Sequence, residues 1–176
     1  MADDVLVILQ QALTKEEDRR SYYEDAAQRA ANPLAQQTFT FLAQEEDKHA
    51  EYIQQFYEQM KAGQGWPDAS ECSEECKLEA AQVKEIFTNA REAIDGEVTS
   101  DTDLTDAYDL AMQGERDSIE FYKAQLAAAS DPRAKLFYKA LVDSERGHLQ
   151  LLVKTQEFLD DTASWYFEEE QWGVTG

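Results

Sequence analysis

The sequence predicts an all-α protein: a four-helix bundle whose second and third helices are joined by one long helical crossover. Three observations carry this. Only seven Gly and three Pro occur in 176 residues, and the chain is rich in Ala, Glu, Gln and Leu, which are strong helix formers. Apolar residues recur at spacings of three and four over four long segments, the pattern of helices with one buried face. Finally, sliding the chain against itself by 99 positions superposes residues 12–49 on 111–148 without a gap, with ten identities in 38 positions. A fixed internal offset of this kind marks a duplicated structural unit, here a helical hairpin.

The first helix is expected over residues 3–31, with Leu9, Leu13, Glu16, Tyr23 and Ala27 on one side. The second is expected over 33–61, with an inner stripe of Ala35, Phe39, Leu42, Glu46, His49, Ile53, Phe56 and Met60. The third, over 103–129, shows Ala111, Glu115, Ile119, Tyr122 and Leu126, and the fourth, over 132–159, shows Phe137, Leu141, Glu145, His148, Leu152 and Leu159. Asn32-Pro33 and Asp131-Pro132 are capping residues followed by proline at the first helical position, a helix start signal. Residues 62–102 are too many for a turn between neighbouring antiparallel helices, which takes roughly 2–8 residues. They contain a further helical stretch, expected over 74–94, and such a connector can run the length of a bundle. The bundle is thus expected to occupy residues 1–160, with the crossover at 62–102 and an aromatic and acidic tail at 161–176.

Each apolar stripe is interrupted at one place by ionisable residues: Glu16, Glu46 with His49, Glu115, and Glu145 with His148. These are the only two histidines, and each has Glu three positions before it. In an i, i+3 pair both side chains lie on one face of a helix, so Glu-x-x-His offers an oxygen and a nitrogen in one direction. An isolated charge in a buried stripe is too costly to keep, so these groups should be paired, protonated or bound to metal. The heights agree. At about 1.5 Å per residue, Glu16, Glu46 and His49 all lie roughly 20–24 Å from the first hairpin turn, which is the middle of a helix of this length. The second hairpin repeats the arithmetic for Glu115, Glu145 and His148. If the crossover sends the two turns to opposite ends, the half-sites meet at the centre.

Glu16, Glu46, His49, Glu115, Glu145 and His148 therefore form a candidate dinuclear metal site, a lone Glu from each of two helices and Glu-x-x-His from each of the other two. Glu46 and Glu145 are expected to bridge; Glu16, Glu115, His49 and His148 are expected to be terminal. Four carboxylates balance two divalent ions. Mixed imidazole and carboxylate donors suit Fe, Mn or a mixed Fe/Mn pair rather than a soft thiolate metal. Asp18 and Asp117 also match in the repeat but sit two positions from a ligand, on the solvent side. Glu17 and Glu45 adjoin ligands. Tyr22, Tyr23 and Tyr122 are read chiefly as packing aromatics.

The formal charge of −21, from 16 Lys and Arg against 37 Asp and Glu, argues against nucleic-acid or anionic-membrane partners. No apolar run reaches membrane-spanning length, and the Met-Ala-Asp-Asp start lacks the basic opening of a secretory signal, so a cytoplasmic location is expected. Cys72 and Cys76, spaced C-x-x-x-C, read as two reduced thiols rather than a zinc or disulfide framework. The tail, with Trp165, Tyr166, Phe167 and Trp172, is apolar enough to dock on the bundle or on a partner.

The repeated Glu…Glu-x-x-His pattern, with Tyr23 and Tyr122 seven residues after each lone Glu, resembles the rubrerythrin branch of the ferritin-like superfamily over roughly residues 3–160. The resemblance implies a ferritin-like bundle with a non-haem di-iron centre that reacts with hydrogen peroxide or dioxygen. Two departures stand out. The two C-x-x-C pairs of a rubredoxin domain do not occur in this sequence, so an external electron-donor protein is expected. The extra Glu that rubrerythrins carry three residues after the third helix's ligand Glu is Ser118 here, with Arg19 at the mirrored position, which implies a more symmetric six-ligand site. The leading expectation is an oxidoreductase that reduces peroxide. The alternatives are a ferroxidase or iron-handling protein that uses dioxygen, and a metal-stabilised interaction module without turnover. A homodimer is expected, two-fold assemblies being the commonest oligomers.

Overall fold

A computed structural model of the chain describes residues 2–69, 80–93 and 102–160. Five helices follow in order: α1 Ala2–Arg29, α2 Pro33–Lys61, α3 Ala80–Ala93, α4 Thr102–Ala128 and α5 Pro132–Asp160; there is no strand among the described residues. The four long helices fall within two residues of the expected bounds. The crossover helix is present from Ala80, while residues 74–79 and 94, Cys72, Cys76 and the 161–176 tail lie outside the described residues.

The starts of α2 and α5 are set by the residues that announce them. Asn32 Oδ1 accepts the backbone N–H of Leu34 at 2.8 Å and of Ala35 at 3.2 Å, satisfying two donors that the first turn leaves without a helical partner. Asp131 Oδ1 accepts the N–H of Arg133 at 2.8 Å. The end of α2 is equally local: Gly63 adopts a left-handed φ of 73°, and its N–H reaches back to the Met60 carbonyl at 3.0 Å, a helix-ending geometry that glycine adopts without strain.

α1 packs along α2 and α4 along α5, and the two hairpins meet mainly through α2 against α5 and α1 against α4. The core divides into two apolar clusters. One joins Leu9 and Leu13 of α1, Ile53 and Phe56 of α2, Tyr122 of α4, and Phe137 and Leu141 of α5. The other joins Tyr23 and Ala27 of α1, Leu34, Phe39 and Leu42 of α2, Tyr108 of α4, and Leu151, Leu152 and Leu159 of α5. The first therefore gathers the end of α2 and the start of α5, and the second gathers the start of α2 and the end of α5. The α1–α2 turn and the α4–α5 turn consequently lie at opposite ends of the bundle. Trp66 closes the first cluster, its ring 5.9 Å from that of Phe137 and 5.7 Å from that of Tyr138. α3 packs on α2 and sends Ile86 into the second cluster, so the crossover leaves from one end and has reached the other by α3. No described helix is long and apolar enough to cross a membrane.

Candidate metal centre

Between the two apolar clusters lies one polar layer. Each stripe supplies it at the expected height: Glu16 between Leu13 and Tyr23, Glu46 and His49 between Leu42 and Ile53, Glu115 between Met112 and Ile119, and Glu145 and His148 between Leu141 and Leu151. All six ionisable side chains are fully buried, at 0% exposure. The repeat brings them together in a two-fold pattern. His49 Nδ1 faces Glu16 Oε2 at 3.2 Å, Glu46 Oε2 at 3.4 Å and Glu145 Oε1 at 3.4 Å. His148 Nδ1 faces the other oxygens of the shared pair, Glu46 Oε1 at 3.3 Å and Glu145 Oε2 at 3.4 Å, with Glu115 Oε2 at 3.9 Å. The layer thus has two poles, each with one imidazole nitrogen and three carboxylate oxygens. Glu46 and Glu145 give one oxygen to each pole. The imidazole rings stack face to face, 5.2 Å between centroids.

The groups around the poles orient them. Tyr122 Oη donates to Glu16 Oε1, and Tyr23 Oη donates to Glu115 Oε1. Each bond crosses from one hairpin to the other and leaves the second oxygen, Oε2, turned into the layer. His49 Nε2 lies 2.8 Å from Ser144 Oγ, the kind of outer contact that fixes the plane of a ligating imidazole.

The donor set around His49 fits a small cation. Ligand atoms held about 2.1 Å from one ion lie roughly 3.0–3.4 Å from one another in octahedral or tetrahedral coordination, the separation seen around His49 Nδ1. One atom from each of Glu46, His49, Glu145 and His148 can be chosen so that all four lie within 4.8 Å of one another. Neither oxygen of Glu46 or of Glu145, nor Nδ1 of His148, makes a hydrogen bond of good geometry among the described residues. Buried polar atoms are ordinarily satisfied, so these converging lone pairs are open to a cation.

The family model described as Rubrerythrin matches residues 8–156 of the chain, a span that includes every residue of the layer. The chain belongs to the rubrerythrin family. A solved structure of a hypothetical protein from Pyrococcus furiosus is similar in fold, with a TM-score of 0.64 and 24% identity over 90% of this chain and 92% of that one. No curated protein matches. The match supports the ferritin-like bundle, and the family together with the buried Glu/His layer points to metal binding.

Within the rubrerythrin frame one expectation needs correction. The replacement of the family's extra Glu by Ser118, with Arg19 opposite, was expected to leave a more symmetric site. It does the reverse. Arg19 reaches inward, its side chain 9% exposed, and its Nη1 lies 2.8 Å from Glu115 Oε2 and 3.7 Å from Glu145 Oε2, with Nε 3.7 Å from Glu46 Oε1. Nη2 donates to Ser118 Oγ. The pairing of small Ser118 with long Arg19 at equivalent places in the repeat makes room for this: the serine leaves space that the guanidinium enters. With Arg19 counted, the layer carries three negative charges instead of four.

Electrostatics in the metal-free layer follow from burial and these neighbours. Burial, and then the charges of Glu145 and Glu46, push Glu16 up to about 8, and burial raises Glu115 well above the carboxylate range despite Arg19. For Glu46, Arg19 and the two imidazoles outweigh burial and the charge of Glu145, and hold it down to about 2. Glu145 is lowered well below the carboxylate range, because Arg19, the two imidazoles and the Glu115 carboxyl outweigh its burial. His148 is raised to about 10, because Glu145 and Glu46 overcome the burial that would lower it. Without metal, the two shared carboxylates are therefore ionised and face Arg19 and a protonated His148. Cations entering it replace protons.

The remaining expectations divide by exposure. Glu17, Asp18 and Asp117 are exposed. Glu45 is buried but turns from the layer to Lys48 Nζ at 2.6 Å. Tyr22, half-buried, donates to the Ala107 carbonyl at 2.7 Å. Sequence reasoning missed the hydroxyl bonds of Tyr23 and Tyr122 and the contact of Ser144. The tyrosine spacing was the available signal, since seven residues are nearly two turns and put each Tyr on the face of its Glu.

Proposed function

We propose that this protein is a non-haem di-iron oxidoreductase that reduces hydrogen peroxide with electrons from an external donor protein. The observation that carries the reading is the two-pole layer, in which each pole pairs one imidazole Nδ1 with three carboxylate oxygens and Glu46 and Glu145 span both. Iron is the metal proposed, from the mixed nitrogen and oxygen donors and the family. Two irons at such a site supply the two electrons that, with two protons, convert one peroxide to two waters. Glu46 and Glu145 would bridge; Glu16 with His49, and Glu115 with His148, would complete the two ends.

The chain's own part is to hold and seal. Tyr122 and Tyr23 fix one oxygen of each terminal carboxylate so that the other points inward. Ser144 holds His49. The apolar clusters above and below exclude bulk water, which strengthens every charge interaction in the layer.

Anaerobic loading with Fe(II), counting of iron per chain, and stopped-flow mixing with peroxide or with dioxygen test the proposal. Two irons per chain, oxidised faster by peroxide and retained, are expected. Preferential oxidation by dioxygen followed by release of iron would replace it with an iron-handling role, and two bound ions without oxidation would leave a metal-stabilised module.

A further inference from the structure

The two poles are built from equivalent residues of the repeat, yet they are not equivalent. Arg19 lies against Glu115 Oε2, Glu145 Oε2 and Glu46 Oε1. These are the three oxygens that face His148 Nδ1. The three oxygens facing His49, namely Glu16 Oε2, Glu46 Oε2 and Glu145 Oε1, are each the other oxygen of a carboxylate or belong to Glu16, with which Arg19 makes no ion pair. A fixed positive charge therefore sits on one pole only. It is held there by Ser118, the residue 99 positions later at the mirrored place in the second hairpin.

We infer that Arg19 makes metal loading sequential: the Glu16/His49 pole takes a divalent cation first, and the Glu115/His148 pole takes one only in competition with the resident guanidinium. This rests on the reading of the layer as a metal centre and deepens it. A second cation must either displace Arg19 from Glu115 and Ser118 or bind beside a like charge. Both weaken the second site relative to the first. Arg19 can serve as such a counter-charge at any working pH, because arginine does not lose its proton in proteins. A protein with this asymmetry passes through a one-metal state, and its second metal is the one it gives up.

The test uses the full chain and cobalt(II), whose visible bands report the number and coordination of bound ions. Anaerobic titration of the native protein, read by calorimetry and absorbance, is expected to show two ions bound in separate steps. Arg19→Gln, which keeps an amide donor for Ser118 without the charge, is expected to reduce the ratio of second to first Kd at least tenfold. That is a conservative fold-change for a like charge about 4 Å away at an effective dielectric near 20. Arg19→Lys is expected to keep the steps apart. The order is read from the histidines: His148→Ala should retain the tight step and His49→Ala should lose it.

Two ions bound with equal affinity by the native chain would overturn the inference, as would a ratio that Arg19→Gln leaves unchanged. Loss of the tight step in His148→Ala rather than His49→Ala would also overturn it. No cobalt bound by the native protein would overturn the metal-centre reading itself. If Arg19→Gln fails to fold, the native titration and the two histidine variants still decide the matter.

Discussion

Removing the metal should make the stability of this protein fall as pH rises through neutrality, and the size of the fall can be worked out from Glu16. Its carboxyl is fully buried, and burial with the nearby charges of Glu145 and Glu46 raises it from 4.5 to about 8. The folded state thus keeps a proton that the unfolded chain releases. The stabilisation is complete below pH 4.5 and is lost as pH rises to about 8. At about 1.4 kcal/mol per unit this amounts to about 5 kcal/mol across the window. Glu115, also raised, acts with the same sign. So does His148 between 6.5 and about 10. Glu46 and Glu145 are depressed, so their stabilisation is lost only as pH falls below 4.5 and does not oppose the trend. The assay is urea unfolding followed by helical circular dichroism, in the presence of a chelator, at intervals from about pH 5 to pH 8. Glu16→Gln should make the slope shallower by about one proton. At neutral pH it should raise metal-free stability by about 3 kcal/mol, or on the order of 10 °C in melting temperature for a chain of this size. Metal loading should flatten the native slope, since the cations take the place of the protons. A metal-free stability that is level or rises over this range, together with a Glu16→Gln slope like the native one, would refute the electrostatic account of the layer.

Three further outcomes are expected. Tyr23→Phe and Tyr122→Phe each strip a hydroxyl donor from a buried carboxylate oxygen, and each should cost about 1–3 kcal/mol of stability in urea. Because the two bonds are related by the repeat, a large effect in one and none in the other would count against the two-fold description. Phe137→Ala removes a fully buried ring stacked 4.2 Å from Phe56, which should cost about 3–5 kcal/mol while leaving two metals per chain by elemental analysis. Replacing both His49 and His148 with Ala should abolish dinuclear occupancy, and two metals still bound to that double variant would sink the ligand assignment.

The fold and the members of the layer were legible because both depend on periodicity. Four stripes at helical spacing, two Asn/Asp-Pro starts and a gapless offset determine which residues face inward and at what height. The height arithmetic alone sets Glu16, Glu46, His49, Glu115, Glu145 and His148 on one level. What periodicity omits is the reach of a long side chain. Arg19 sits on α1 three residues from Glu16, and as a residue type it belongs in solvent. Its guanidinium enters the layer only because Ser118, on a different helix and a different hairpin, is short. No window along one segment contains that fact.

The same pair nevertheless left a mark in the sequence, since Arg19 and Ser118 fall on one another at the 99-residue offset that aligns the ligands. A duplicated site divides its positions into those the symmetry keeps and those it gives up. The kept positions are the six donors and the two tyrosines. Near the layer, the Arg19/Ser118 position is given up most sharply, a long cation against a small hydroxyl. Of the ways to break the symmetry of an anionic layer, a fixed positive charge over three oxygens of one pole acts most directly on cation binding, because it changes the attraction that assembles the site. A difference between the halves in metal affinity therefore follows from this one residue, with the ligands themselves unchanged.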